Sequence, residues 1–178
     1  RYNFSRSDNP VRCLDDFEKD ISFAPGTYVF QKALNRVGLI IDVKDGKVSV
    51  RYSASDVQNI DLDAAFNSLN PLTRHHLKAI KKGVPAEKIK AKILGDGGIE
   101  WLVRTLLYSA PDHQEGLKEM KADVVPSILR ESEWKSILEK VKAELRTSSN
   151  VLIVSTGRTD VYKLTPYPVT PEEKALYA

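Results

Sequence analysis

The sequence predicts an α+β protein in two parts, a small β-barrel followed by a helical region that ends in a C-terminal β-hairpin. Three observations carry this prediction. Asp45-Gly46 sits between two runs of alternating apolar residues, the apolar period changes from two to three or four after Asp63, and a long amphipathic stretch at 131–146 leads into two short β-branched runs.

The first part is organised around residues 36–52, RVGLIIDVKDGKVSVRY. Asp45-Gly46 is a two-residue loop suited to a type I′ turn, because both of its residues must take positive φ and Asp and Gly tolerate that best. Counting outward from the turn sets Val43 opposite Val48, Ile41 opposite Val50 and Leu39 opposite Tyr52. Those partners share one face, while Asp42, Lys44, Lys47, Ser49 and Arg51 take the other. Ala24-Pro25-Gly26 is a turn signal ahead of a first strand at 27–34, and 57–62 reads as a further strand. Gly38 interrupts a β-branched run, which predicts a bulge or tight bend there. A lone hairpin is marginal in water, so neighbouring strands must close around it; several short strands over 24–71 suit an SH3/Tudor/KOW-like β-barrel. Residues 1–23 read as a lead-in segment with a short helix at 13–19.

The second part, 72–165, is helical and winged-helix-like. A turn of helix at 63–69 caps the barrel, with Pro71 at the boundary. A short basic helix at 73–82 ends at Gly83, and a second begins at Pro85 with Ala86, Ile89 and Ile93 on one face. Gly95-Asp96-Gly97-Gly98 lacks the Lys-Ser/Thr ending of a phosphate-binding loop and reads as a helix–helix turn. Ile99, Leu102, Val103, Leu106 and Leu107 then give the clearest amphipathic helix in the chain. A polar helix is predicted at 112–121. The helix at 131–146 buries Trp134, Ile137, Leu138, Val141 and Leu145 and takes Ser132 as its cap. Strands at 151–155 and 161–164 form the final hairpin, and 166–178 is a Pro-rich linker leading into something further.

Composition narrows the function classes. With 42% apolar and 29% charged residues the chain can bury a real core. A single cysteine, Cys13, excludes an internal disulfide framework and suits a reducing, cytoplasmic setting. Three histidines show no metal-ligand spacing, and no nucleophile stands beside a plausible base, so neither a metal, a cofactor, a small-molecule substrate nor a catalytic site is expected. No apolar run approaches the length of a membrane span.

Charge is more informative than its net value of +3. Residues 71–92 carry seven Lys/Arg against one acid, whereas the flanking parts are slightly acidic. Arg74, Lys78, Lys81, Lys82, Lys88, Lys90 and Lys92 on two neighbouring short helices are the candidate contacts to DNA or RNA phosphates, with a solvated lysine face as the alternative reading. Arg158, flanked by Thr156 and Thr159, adds a candidate contact at the predicted wing tip.

Two stretches carry a family resemblance. GTYVFQKALNRVGLIIDVKDGKVSVRY with the following IDLDAAFNSLNPL, and ESEWKSILEKVKAELRTSSNVLIVSTGRTDVYKL, resemble the N-terminal extensions of Gre-type transcription elongation factor fusions in bacteria. Val37-Gly38, Asp61-Leu62, Leu69-Asn70-Pro71-Leu72 and Glu133-Trp134 occupy the positions that carry the likeness. The resemblance implies a non-catalytic accessory module whose partner is RNA polymerase, nucleic acid, or both; a pure protein-interaction domain is the alternative. The family's transcript cleavage needs a carboxylate-tipped antiparallel coiled coil, and these residues supply none.

Overall fold

The computed structural model describes residues 22–155, 160–170 and 172–173, and the chain divides after Arg74 into two compact units. The predicted helix at 13–19 lies outside the described residues.

The first unit is built on strands β1 (Tyr28–Gln31), β2 (Arg36–Lys44), β3 (Lys47–Arg51), β4 (Val57–Asp61) and β5 (Leu69–Leu72), with helix α1 (Leu62–Ser68) between the last two. All pairings are antiparallel, in the order β4-β3-β2-β1-β5. β4 and β5 are the sheet's edges, so the described residues form an open sheet where the sequence predicts a closed barrel. The first strand is also shorter than predicted, because Lys32–Leu34 turn as a 3-10 helix closed by Asn35 at φ 45°. β5 was not foreseen. Its Pro71 pairs with Val29 and lacks an N–H, which an edge strand tolerates and a central one does not.

The hairpin turn forms as expected, with Asp45 at φ 52° and Gly46 at φ 73°. Lys44 faces Lys47 and Val43 faces Val48, but a β-bulge between Ile40 and Asp42 then shifts the register. Val50 therefore faces Ile40, and Leu39 faces Arg51, correcting the predicted Ile41–Val50 and Leu39–Tyr52 pairs. The inserted residue is Ile41. It is 39% exposed, whereas Ile40 is 1% exposed and joins Val29, Val48 and Val50 in the core. Gly38, expected to mark the bulge, pairs regularly with Val29. Its role is close approach: a Cβ there would collide with the Val50 side chain and lie 2.9 Å from Tyr52 Cε1.

The second unit runs α2 (Leu77–Gly83), α3 (Ala86–Leu94), α4 (Gly98–Ser109), β6 (Gln114–Gly116), α5 (Leu117–Val124), α6 (Glu131–Thr147), β7 (Val151–Ser155) and β8 (Asp160–Leu164). Its core joins the α4 stripe of Leu102, Val103, Leu106 and Leu107 to Trp134, Ile137, Val141 and Leu145 of α6, with Met120, Leu129 and Tyr162. The predicted helix at 112–121 starts only at Leu117. Before it Pro111–His113 turn as a 3-10 helix and Gln114–Gly116 pair with β8, so the hairpin becomes a three-stranded sheet in the order β6-β8-β7.

Two helix starts also differ from the prediction. His76 caps α2, its Nδ1 accepting the Lys78 backbone N–H at 3.1 Å, so Thr73 and Arg74 stay outside the helix. Arg130, not Ser132, is the N-cap of α6, and the Glu133 carboxylate accepts the Arg130 N–H at 2.8 Å. The residue after β8 and the described part of the predicted linker are tied to the base of the hairpin: Thr165 N–H donates to the Asn150 carbonyl at 2.9 Å and Val169 N–H to that of Ser149 at 2.6 Å. Among the described residues no helix is long and apolar enough to cross a membrane.

Candidate interaction surfaces

α2 and α3 hold the basic stretch because their apolar residues fix which way the lysines turn. Leu77, Ile89 and Ile93 are buried and Ile80 is half-buried, leaving Lys78, Lys82, Lys88 and Lys92 exposed. Arg74 is exposed at the end of the first unit. Arg158 lies outside the described residues.

Lys81, Lys90 and Lys92 have internal partners that the sequence did not reveal. The Lys90 ammonium meets the Glu133 carboxylate at 2.5 Å, joining α3 to the start of α6. Lys81 donates to the Asp123 backbone carbonyl on α5, and burial depresses its pKa. The Lys92 ammonium stands 5.5 Å from the centre of the Trp101 ring. Glu133 is held below the usual carboxylate range, first by the Arg130 backbone N–H and then by Lys90. Lys81 and Lys90 are half-buried, and Lys78, Lys82, Lys88 and Lys92 are exposed.

A second surface is offered by α6. It follows α5 across the turn at 125–130, in the position of the second helix of a helix-turn-helix, and leads directly into β7. Its buried stripe turns Lys135, Ser136, Glu139, Lys140, Ala143 and Arg146 to solvent. Along its length Glu131, Glu133, Glu139 and Glu144 balance Lys135, Lys140, Lys142 and Arg146, and Lys142 bonds Glu139 at 2.8 Å. Over its whole length the helix is neutral, and its exposed face mixes Lys135, Lys140 and Arg146 with Glu131 and Glu139.

Residues 76–169 match the GRAD helix-turn-helix domain. The chain belongs to the GRAD helix-turn-helix domain family. The matched span is the second unit almost from end to end, and it includes the tail residues bonded to the hairpin base. Among curated relatives, the transcription elongation factor GreA of Borreliella burgdorferi is 31% identical over 149 residues, 83% of this chain and 16% of that protein. A GreA-associated domains protein of Treponema pallidum is 30% identical over 166 residues, 93% of this chain and 24% of the relative. The chain thus spans a quarter or less of the length of these relatives. No solved structure matches it. The GRAD assignment and the two relatives bear out the resemblance to Gre-type extensions that residues 24–165 show.

Missing from the sequence-derived sites is Glu115. It is 9% exposed, its Oε1 atom has no hydrogen-bond partner, and burial followed by the nearby Asp123 and Glu119 carboxylates pushes its pKa to about 8. β6 spans three residues, too short for a period-two signal, so no pattern in the sequence marks Glu115 as an inward residue.

Proposed function

We propose that the chain is a non-catalytic accessory module of a Gre-type transcription elongation factor and that its helix-turn-helix unit docks on RNA polymerase through protein contacts. The observation that carries the protein reading is the balanced charge of α6. Duplex DNA presents a dense row of phosphates, and a helix laid along it normally brings an excess of Lys and Arg. On the exposed face of α6, Glu131 and Glu139 stand among Lys135, Lys140 and Arg146. Such alternating signs complement a mixed protein surface and set its register. The order helix, strand, helix, helix, hairpin supports a winged-helix form for this unit. In the first unit, a four-strand meander whose fifth strand returns beside the first supports the SH3-like reading of the sheet.

A second reading rests on α2 and α3, where Lys78, Lys82 and Lys88 would track a nucleic-acid backbone without reading bases. The two separate in one experiment. Purified core RNA polymerase free of nucleic acid, duplex DNA and single-stranded RNA are each titrated with the chain at several salt concentrations. The docking proposal expects binding to polymerase that is weakened by Lys135→Glu with Lys140→Glu and unaffected by Lys78→Glu, Lys82→Glu and Lys88→Glu together. Binding to DNA or RNA alone, abolished by the α2–α3 triple variant and falling steeply with salt, would overturn it in favour of the phosphate reading.

A further inference from the structure

Glu115 lies on the wall of a cleft of about 870 Å³ within the second unit, bounded by α2, β6, α5 and the start of β8. A space of this size holds far more than a single water, whose share of liquid volume is about 30 Å³. Besides Glu115 the cleft is lined by the carboxylates of Glu119, Asp123 and Asp160, with Lys78 and Lys118 as its cations. Tyr162 lies opposite Glu115 across the β6–β8 pair, and Lys81 is held on the Asp123 carbonyl behind. The Glu119 carboxylate reaches back over β6, where a Cβ on Gly116 would stand 2.8 Å from its Oε2. Burial is the largest influence on Glu115, and the Asp123 and Glu119 carboxylates add to it by disfavouring its ionised form.

We propose that this cleft receives a cationic side chain, arginine or lysine, from a partner protein, with Glu115 as a buried acceptor on its wall. Two features converge on that chemistry. Glu115 is nine-tenths buried and its Oε1 has no donor, which leaves an unfilled acceptor, and a guanidinium or ammonium is the group that fills it most strongly. The surrounding carboxylates add attraction for a positive charge and repel an anion. A metal ion fits less well, as no grouping of three or more His, Cys, Asp or Glu among the described residues could hold one. A cation entering the cleft also reverses the electrostatics at Glu115, favouring its ionised form, so uptake of the guest is coupled to release of the Glu115 proton.

The inference rests on reading this unit as a protein-docking module, and its test uses a small cation so that it stands apart from polymerase binding. Agmatine, which carries both a guanidinium and an ammonium, is titrated into the full chain labelled for amide and carboxyl NMR, against sodium chloride at matched ionic strength. Saturable shifts are expected at Gly116, Glu119, Asp123 and Asp160, with the Glu115 carboxyl titrating lower when agmatine is bound. Glu115→Gln should weaken agmatine about tenfold, as loss of a charge-assisted bond implies. Should that variant misfold, Asp160→Asn on the exposed rim replaces it, with a several-fold weakening expected. Shifts that sodium chloride reproduces, an unchanged Glu115 titration, or undiminished binding by the folded variant would overturn the proposal.

Discussion

The carboxyl of Glu115 makes the stability of the second unit depend on pH in an uncommon direction. Its folded pKa of about 8 lies above the ordinary value of 4.5, so the folded chain binds the proton more tightly than the unfolded chain does. The stabilisation that proton provides is complete below about pH 4.5 and is lost as pH rises toward 8. We expect wild type to lose stability relative to Glu115→Gln between pH 5 and pH 8, by up to about 1.4 kcal/mol for each unit of pH. Urea unfolding of both proteins at the two pH values measures it, and parallel pH dependences would refute it. Lysines teach the converse lesson. Lys81 and Lys90 look like any other lysine in sequence, yet a backbone carbonyl on α5 engages the first and a carboxylate on α6 the second. Partners 42 and 43 positions away leave no mark on local charge counting.

At the level of elements, the clearest departure is the bulge in β2. Leu39, Ile40 and Ile41 are three consecutive apolar residues, so alternation alone does not decide which of them faces the core. Counting from the turn chooses Ile41; the bulge hands the place to Ile40. Ile40→Ala should therefore cost about 2–5 kcal/mol, as truncation of a buried aliphatic does, while Ile41→Ala should cost well under half of that. Chemical denaturation of the two variants decides the register. Equal costs, or a larger one at Ile41, would return the hairpin to the unbulged pairing. β6 and β5 illustrate a different limit. Each is three or four residues long, and β5 contains a proline, so neither has a sequence signature of its own; a strand waiting beside each supplies the hydrogen bonds that define it.

On the scale of the whole molecule, the second unit holds a continuous apolar core from Leu77 to Tyr162, drawn entirely from residues of its own. A fragment of residues 75–178 should fold without the first unit, giving dispersed amide NMR signals and a cooperative thermal transition. Within it Leu106→Ala should lower stability by about 2–5 kcal/mol. A fragment with collapsed amide dispersion would show that the matched GRAD span needs residues before His75. The charge distribution belongs to this scale too: the +6 of residues 71–92 survives folding only in part, because the fold carries α3 and α2 against acidic and carbonyl groups of α6 and α5.

Where local chemistry is sufficient, the sequence determined the outcome by itself. The Asp45-Gly46 turn follows from the conformational preference of two residues, and the α4 and α6 stripes from a helical period sustained over three turns or more. The likeness to Gre-type extensions was equally legible, being a pattern of residues along the chain. Tertiary structure alone decided the open edges of the first sheet, the β2 bulge, the third strand of the second sheet and the pairing of Lys81 and Lys90. It also decided the burial of Glu115. Each of these depends on a partner distant in sequence, and the free energy of a hydrogen bond, an ion pair or a buried carboxyl is set by what surrounds it in space, which no window of neighbouring residues contains.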